Sequence, residues 1–210
     1  MNINQLVKTL GDCCYVFLAL NFLWGLYCVV LISRRLKELR FRKLEQETAF
    51  VNQLQQHLQA KDYTAAATFC DYDFRALPRL ALVIINNRKL GFAQLRQLVA
   101  ERLQRDLLAD LEYRLSWIAT VIKSGPLLGL FGTVLGMMAA FARIGTGEKV
   151  QPSQIADEIS VALICTAMGL GTAIPFGYIL ASMSIKLRSL QESLEMGLTR
   201  ILEYFRTEHT

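Results

Sequence analysis

The chain has 210 residues, 53% hydrophobic and 20% charged, with 23 Lys and Arg against 18 Asp and Glu for a formal net charge of +5. That apolar share, with a mean hydropathy of +0.30, excludes an ordinary soluble domain, and the bunching of the apolar residues points to a membrane protein. The basic residues have acidic neighbours and no interleaved aromatic platform, which argues against nucleic-acid binding.

Three runs carry no charge: Cys13 to Ser33, Ser124 to Ala142 and Ile159 to Ile185. About 20 residues of helix span a hydrocarbon core, so each run is read as a transmembrane helix. The first run, preceded by Lys8, has a signal peptide as its alternative. A cleavable apolar region is shorter, about 7 to 15 residues, and no small-residue cleavage site follows, so residues 13–33 are read as an uncleaved span. Directly after it, "SRRLKELRFRK" holds Arg34, Arg35, Lys37, Arg40, Arg42 and Lys43, whereas residues 1–12 offer Lys8 against Asp12. The positive-inside rule therefore places residues 1–12 outside and residue 34 in the cytoplasm.

Residues 34–115 form a cytoplasmic helical loop in this reading. Leu36, Leu39, Leu44, Val51, Leu54 and Leu58 make one approximate apolar stripe, and Leu95, Val99, Leu103, Leu107, Leu111 and Leu115 a second. Glu101 with Arg105 and Asp110 with Arg114 are acid-before-base pairs one turn apart. No breaker precedes Trp117, so the second stripe is expected to run unbroken into a second span over residues 116–142, with Trp117 at the interface.

Residues 143–158 are then a short external loop, with Gly145, Gly147 and Pro152 as breakers. Its "GTGEK" lacks the spacing of a phosphate-binding loop. Residues 159–185 form the third span. Residues 186–210 form a cytoplasmic amphipathic tail, with Leu187, Leu190, Leu194, Ile201 and Phe205 on one face. The apolar stripes exceed what one small helical layer covers, so oligomerisation is expected.

Gly125, Gly129, Gly132 and Gly136 recur at alternating intervals of four and three and share one helical face. Small faces let helices approach closely in lipid. The third span repeats the pattern with Ala162, Thr166, Gly169, Ala173 and Gly177, and Thr133 borders the glycine face of the second. Close packing and a narrow polar path are both compatible with two small faces carrying hydroxyls.

The stretch "ADLEYRLSWIATVIKSGPLLGLFGTVLGMMAAF" followed by "ISVALICTAMGLGTAIP" resembles the MotA/TolQ/ExbB proton-channel family, strongly over residues 109 to 180. The resemblance implies an all-α protein of the bacterial inner membrane, assembled as a homopentameric ring whose second and third spans line a pore. A single-span partner of the ExbD/TolR/MotB type would sit inside, its membrane aspartate carrying the proton, so that ion flow moves partner against ring and energises envelope transport or maintenance. Thr133 of "GTV" and Thr166 of "CTA" match the pore threonines of such proteins. Against that stands the bland alternative, in which each hydroxyl bonds a carbonyl of its own helix. The sequence departs from the family pattern at one place: "VALICTA" puts Val161 where ExbB and TolQ members commonly carry glutamate, which moves proton carriage to the partner or to waters held by the threonines.

Lys123 is read as snorkelling to the interface or meeting acidic lipid, with a pore-mouth role as the alternative. Pro126 and Pro175 each remove a backbone donor inside a span and are fixed bends or hinges. Five cysteines without metal-ligand spacing, with His57 and His209 in polar sequence, assemble neither a metal site nor a catalytic constellation, so no cofactor and no enzyme activity are expected. Two readings from other classes stay open: a non-conducting membrane scaffold of the same fold, and a MotA-like motility stator subunit.

Overall fold

The computed structural model describes residues 3–41, 44–145 and 151–208, and these are helical apart from short turns. The helices are α1 (Ile3–Leu39), α2 (Leu44–Gln59), α3 (Tyr63–Asp71), α4 (Ala76–Asn86), α5 (Phe92–Arg102), α6 (Ala109–Gly145) and α7 (Pro152–Glu208), with a π-helical stretch, Leu103–Leu108, joining α5 to α6. Three helical stretches are long and apolar enough to cross a membrane: Cys13–Leu39, Phe92–Gly145 and Pro152–Arg206. The helices enter the segment read from the sequence as loop, α6 reaching Gly145 and α7 beginning at Pro152. Proline is favourable in a first helical turn, where its missing N–H has no partner to lose. Gly147, Glu148 and Lys149 of that segment, together with Arg42, Lys43 and His209, lie outside the described residues.

The chain divides into two compact units. One comprises Met1–Val30 and Leu115–Ser182, the unit of the three apolar runs. Its interior is mostly small or slender, with Cys14, Leu18, Ile118, Val121, Ala140, Ala162 and Cys165 buried beside one aromatic ring, Phe176, while Phe17, Leu23, Leu127, Phe131, Leu163 and Ile174 are exposed. In water that distribution would be costly. In a bilayer it is what a lipid-facing surface requires, because lipid tails solvate apolar side chains.

The other unit comprises Leu31–Arg114 and Met183–Thr210. Its core is that of a soluble helical layer: Leu54, Leu58, Leu77, Ile84, Ile85, Leu95, Leu108, Leu111, Ile201 and Phe205 are all nearly inaccessible. The amphipathic tail supplies the last two, so its stripe is covered within its own chain. Tyr204 Oη donates to the carbonyl of Leu58 at 2.6 Å, Ser193 donates to Glu47, and Gly197 admits Leu77, whose methyl would lie 2.8 Å from a Cβ there. The α2–α3 corner is closed by Lys61 at φ 59°, whose N–H bonds Leu58 O while Asp62 N–H bonds His57 O, a helix-ending pattern usually given to glycine. Asp62 then caps α3 by accepting from Ala65 N–H and Thr64 Oγ1, and these bonds hold its carboxyl below the usual aspartate range. Burial, with Asp73 nearby, pushes the Cys70 thiol up to about 12, so it stays protonated and acts as a small apolar side chain.

The helix runs unbroken past Trp117 as expected, from Phe92 to Gly145, with the π stretch set within it, and the apolar spacing explains that stretch. Leu95, Val99, Leu103, Leu107 and Leu111 recur every four residues, and four α-helical residues overshoot a full turn by about 40°. Five such positions would wind off the core. The wider π turn resets the register and leaves all five buried.

Candidate functional site

The site is built where α6 meets α7 in the apolar unit. A Cβ at Gly129 would lie 2.7 Å from the carbonyl oxygen of Cys165 and 2.9 Å from Thr166 Cα. One at Gly169 would lie 2.5 Å from the carbonyl oxygen of Gly125 and 3.4 Å from Gly129 Cα. Gly132 faces Cys165, Gly136 faces Ala162, and Gly125 faces both Thr172 Oγ1 and the Gly169 carbonyl. The two small faces therefore form one seam within a single chain, in which backbone approaches backbone. Ala173 is buried near its end, whereas nothing lies within 4 Å of a Cβ at Gly177.

The two threonines sit on opposite sides of this seam and are satisfied differently. Thr133 is 5% exposed, and its Oγ1 donates to the carbonyl of Leu130 at 2.7 Å, within its own helix. Thr166 Oγ1 is buried with no hydrogen-bond partner among the described residues. Leaving a hydroxyl in that state costs about 1–3 kcal/mol, so it is the polar atom in the seam that an arriving water or carboxyl group would relieve. Val161 is 54% exposed, and its carbonyl accepts from Tyr15 Oη at 2.9 Å, so its side chain faces away from the seam. Arg143 and Glu158 pair at one end of the unit.

Lys123 and Pro175 are exposed and Pro126 is half-buried, each proline lying inside its helix. Trp117 meets Trp24 edge-on at 5.8 Å, an aromatic pair suited to an interface belt.

A polar group that the motif reading passed over holds α1 to this seam. Asn21 Nδ2 donates to the carbonyl of Val121 at 3.3 Å, and Ser124 Oγ donates to Asn21 Oδ1 at 3.0 Å. Asn21 Nδ2 also lies 3.7 Å from the Cβ position of Gly125. The signal was available, since Asn21 is the one amide side chain in the uncharged run Cys13 to Ser33, and such groups join helices in lipid. Replacing Asn21 with alanine should lower the unfolding free energy in detergent by about 1 kcal/mol, read from the shift in denaturation midpoint. An unchanged midpoint would show that the bonds bind the helices no better than lipid packing does.

Comparison with known proteins follows the same residues. A model of the MotA/TolQ/ExbB proton channel family matches residues 80–196, which contain the whole seam. The chain is 36% identical over 83 residues to the Tol-Pal system protein TolQ of Haemophilus influenzae, covering 40% of this chain and 36% of that protein. It is 45% identical over 65 residues to the Tol-Pal system protein TolQ of Pseudomonas aeruginosa, covering 31% and 28%. Against the biopolymer transport protein ExbB of Neisseria gonorrhoeae it is 27% identical over 157 residues, covering 71% and 69%. The two TolQ matches thus span only about a third of those proteins. With the matched segment taking in more than half of the chain and all of the α6–α7 seam, this multi-pass, all-helical membrane protein belongs to the MotA/TolQ/ExbB proton channel family.

Proposed function

We propose that the chain is the ring subunit of an inner-membrane motor driven by the proton-motive force, working against a single-span partner of the ExbD/TolR type whose carboxylate carries the ion. The observation that carries this reading is the buried, unpartnered Thr166 hydroxyl. In lipid an unsatisfied polar group is held at a cost, and a water or the partner's carboxyl group would satisfy it. The chain itself acts as conduit and track rather than as an enzyme. With Val161 at the third span's acidic position, it contributes hydroxyls and no carboxylate there. Each charge that crosses yields about 2.3 kcal/mol per 100 mV, enough to bias one conformational step.

Ring formation, most simply of five copies, is what the family likeness implies for this chain. The positive charges following the first span support a periplasmic N-terminus and a cytoplasmic C-terminus. The relatives' names, Tol-Pal system protein and biopolymer transport protein, favour envelope work over motility.

The test is to co-express the chain with a neighbouring single-span protein bearing a membrane aspartate, measure the mass of the complex in mild detergent, and record proton uptake into proteoliposomes under an imposed potential. The expected result is a pentameric ring with uptake that depends on the partner. A functional monomer would sink the ring, and a partner-bound ring without uptake would establish the non-conducting scaffold.

A further inference from the structure

We propose that a cavity between the end of α1 and the π stretch is a headgroup site for an ethanolamine phospholipid. The cavity, about 430 Å³, is lined by Arg35, Leu39, Asp106, Leu107, Asp110 and Arg114, all in one compact unit. That volume falls in the ~300–1,000 Å³ range of small-molecule sites. Its charged lining is balanced, two guanidinium groups against two carboxylates. A simple anion or cation entering it meets repulsion to match its attraction, whereas a zwitterion with an ammonium close to a phosphate has a counterpart for each charge. Guanidinium forks suit phosphate oxygens, and an ammonium brings three N–H donors to the carboxylates.

The position in the sequence matches the depth of a headgroup. Arg35 lies two residues past the uncharged run that ends at Ser33, and Arg114 stands three residues before Trp117. Asp110 lies one turn and Asp106 a further turn beyond Arg114, away from that span. The order is phosphate partners nearest the apolar runs and ammonium partners farther out, with Leu39 and Leu107 as apolar wall.

The existing pairs leave room for a ligand. Arg114 meets Asp110 at 3.1 Å, Arg102 meets Asp106 at 3.1 Å, and Arg35 meets Glu38 at 3.5 Å, all with side chains between 35% and 65% exposed. Ion pairs so exposed are worth little, so a ligand can share these groups without breaking strong bonds. Both Asp106 and Leu107 come from the π stretch, an element frequently found at functional sites.

The proposal needs the chain to lie in a bilayer but not to conduct ions, so its failure is separable from failure of the motor reading. The experiment places the full chain in nanodiscs of equal phosphatidylethanolamine, phosphatidylglycerol and phosphatidylcholine, and reads retained lipid by native mass spectrometry. Phosphatidylethanolamine should be enriched, and the double variant Asp106→Asn, Asp110→Asn should lose that preference about tenfold while helical content and complex mass stay unchanged. A second arm needs no variant: successive N-methylation of the headgroup, which removes N–H donors one by one, should lower retention stepwise. Retention at the bulk lipid ratio, or indifference to N-methylation, would overturn the proposal. Equal competition by soluble phosphoethanolamine would overturn the lipid assignment in favour of a free phosphate compound.

Discussion

Gly129→Ala should sharply reduce the yield of folded protein. The added methyl would lie 2.7 Å from a carbonyl oxygen and 2.9 Å from a Cα of α7, and neither atom can move without moving the helix. Overpacking a well-packed interior costs about 1–3 kcal/mol where side chains can adjust, and a backbone neighbour puts this site at or above the top of that range. Gly169→Ala, aimed at the Gly125 carbonyl, should behave alike. The same substitution at Gly171 or Gly177, where nothing lies within 4 Å, should be neutral or raise stability by up to about 1 kcal/mol, since alanine is the better helix former. Thermal unfolding in detergent, with yield, reads the contrast. Equal losses at all four glycines would place the close approach between copies of the chain rather than within one.

Thr166→Val should abolish partner-dependent proton uptake while leaving the protein as stable as before, or slightly more so. Valine keeps the shape and removes an oxygen that has no partner in the folded chain, so about 1–3 kcal/mol of desolvation cost disappears. Thr133→Val removes a hydroxyl already bonded to Leu130 O. It should cost a few tenths to about 1 kcal/mol of stability and reduce uptake less. Thr166→Ser, which retains the hydroxyl, should keep much of the flux. Flux in liposomes and midpoint in detergent separate the roles. Full uptake in Thr166→Val would make this hydroxyl an ordinary packing group.

The membrane unit was largely legible from composition. Uncharged runs of spanning length have few alternatives once every backbone polar group must be satisfied internally, and all three runs lie in helices. The other unit was less legible. Its two stripes were visible, but where α3 begins depends on local capping by Asp62 and on a left-handed Lys61, and the seating of α4 on burial of Leu77 against Gly197, far away in sequence. The π stretch is intermediate: the repeat of four was on view, yet an α-helix that drifted off its core was equally compatible with it.

At the site, sequence by itself determined which faces are small and where the hydroxyls stand, because helical periodicity assigns residues to faces without knowledge of partners. Only the tertiary structure decided what those faces meet. The glycines of α6 and the small residues of α7 close on each other, Asn21 joins them from α1, and of two threonines read as a pair one is satisfied and the other is not. The physical reason is that a small-residue face states how closely a helix can be approached and not by which helix. A hydroxyl's hydrogen-bonding state, likewise, depends on the rotamer and neighbours that packing imposes.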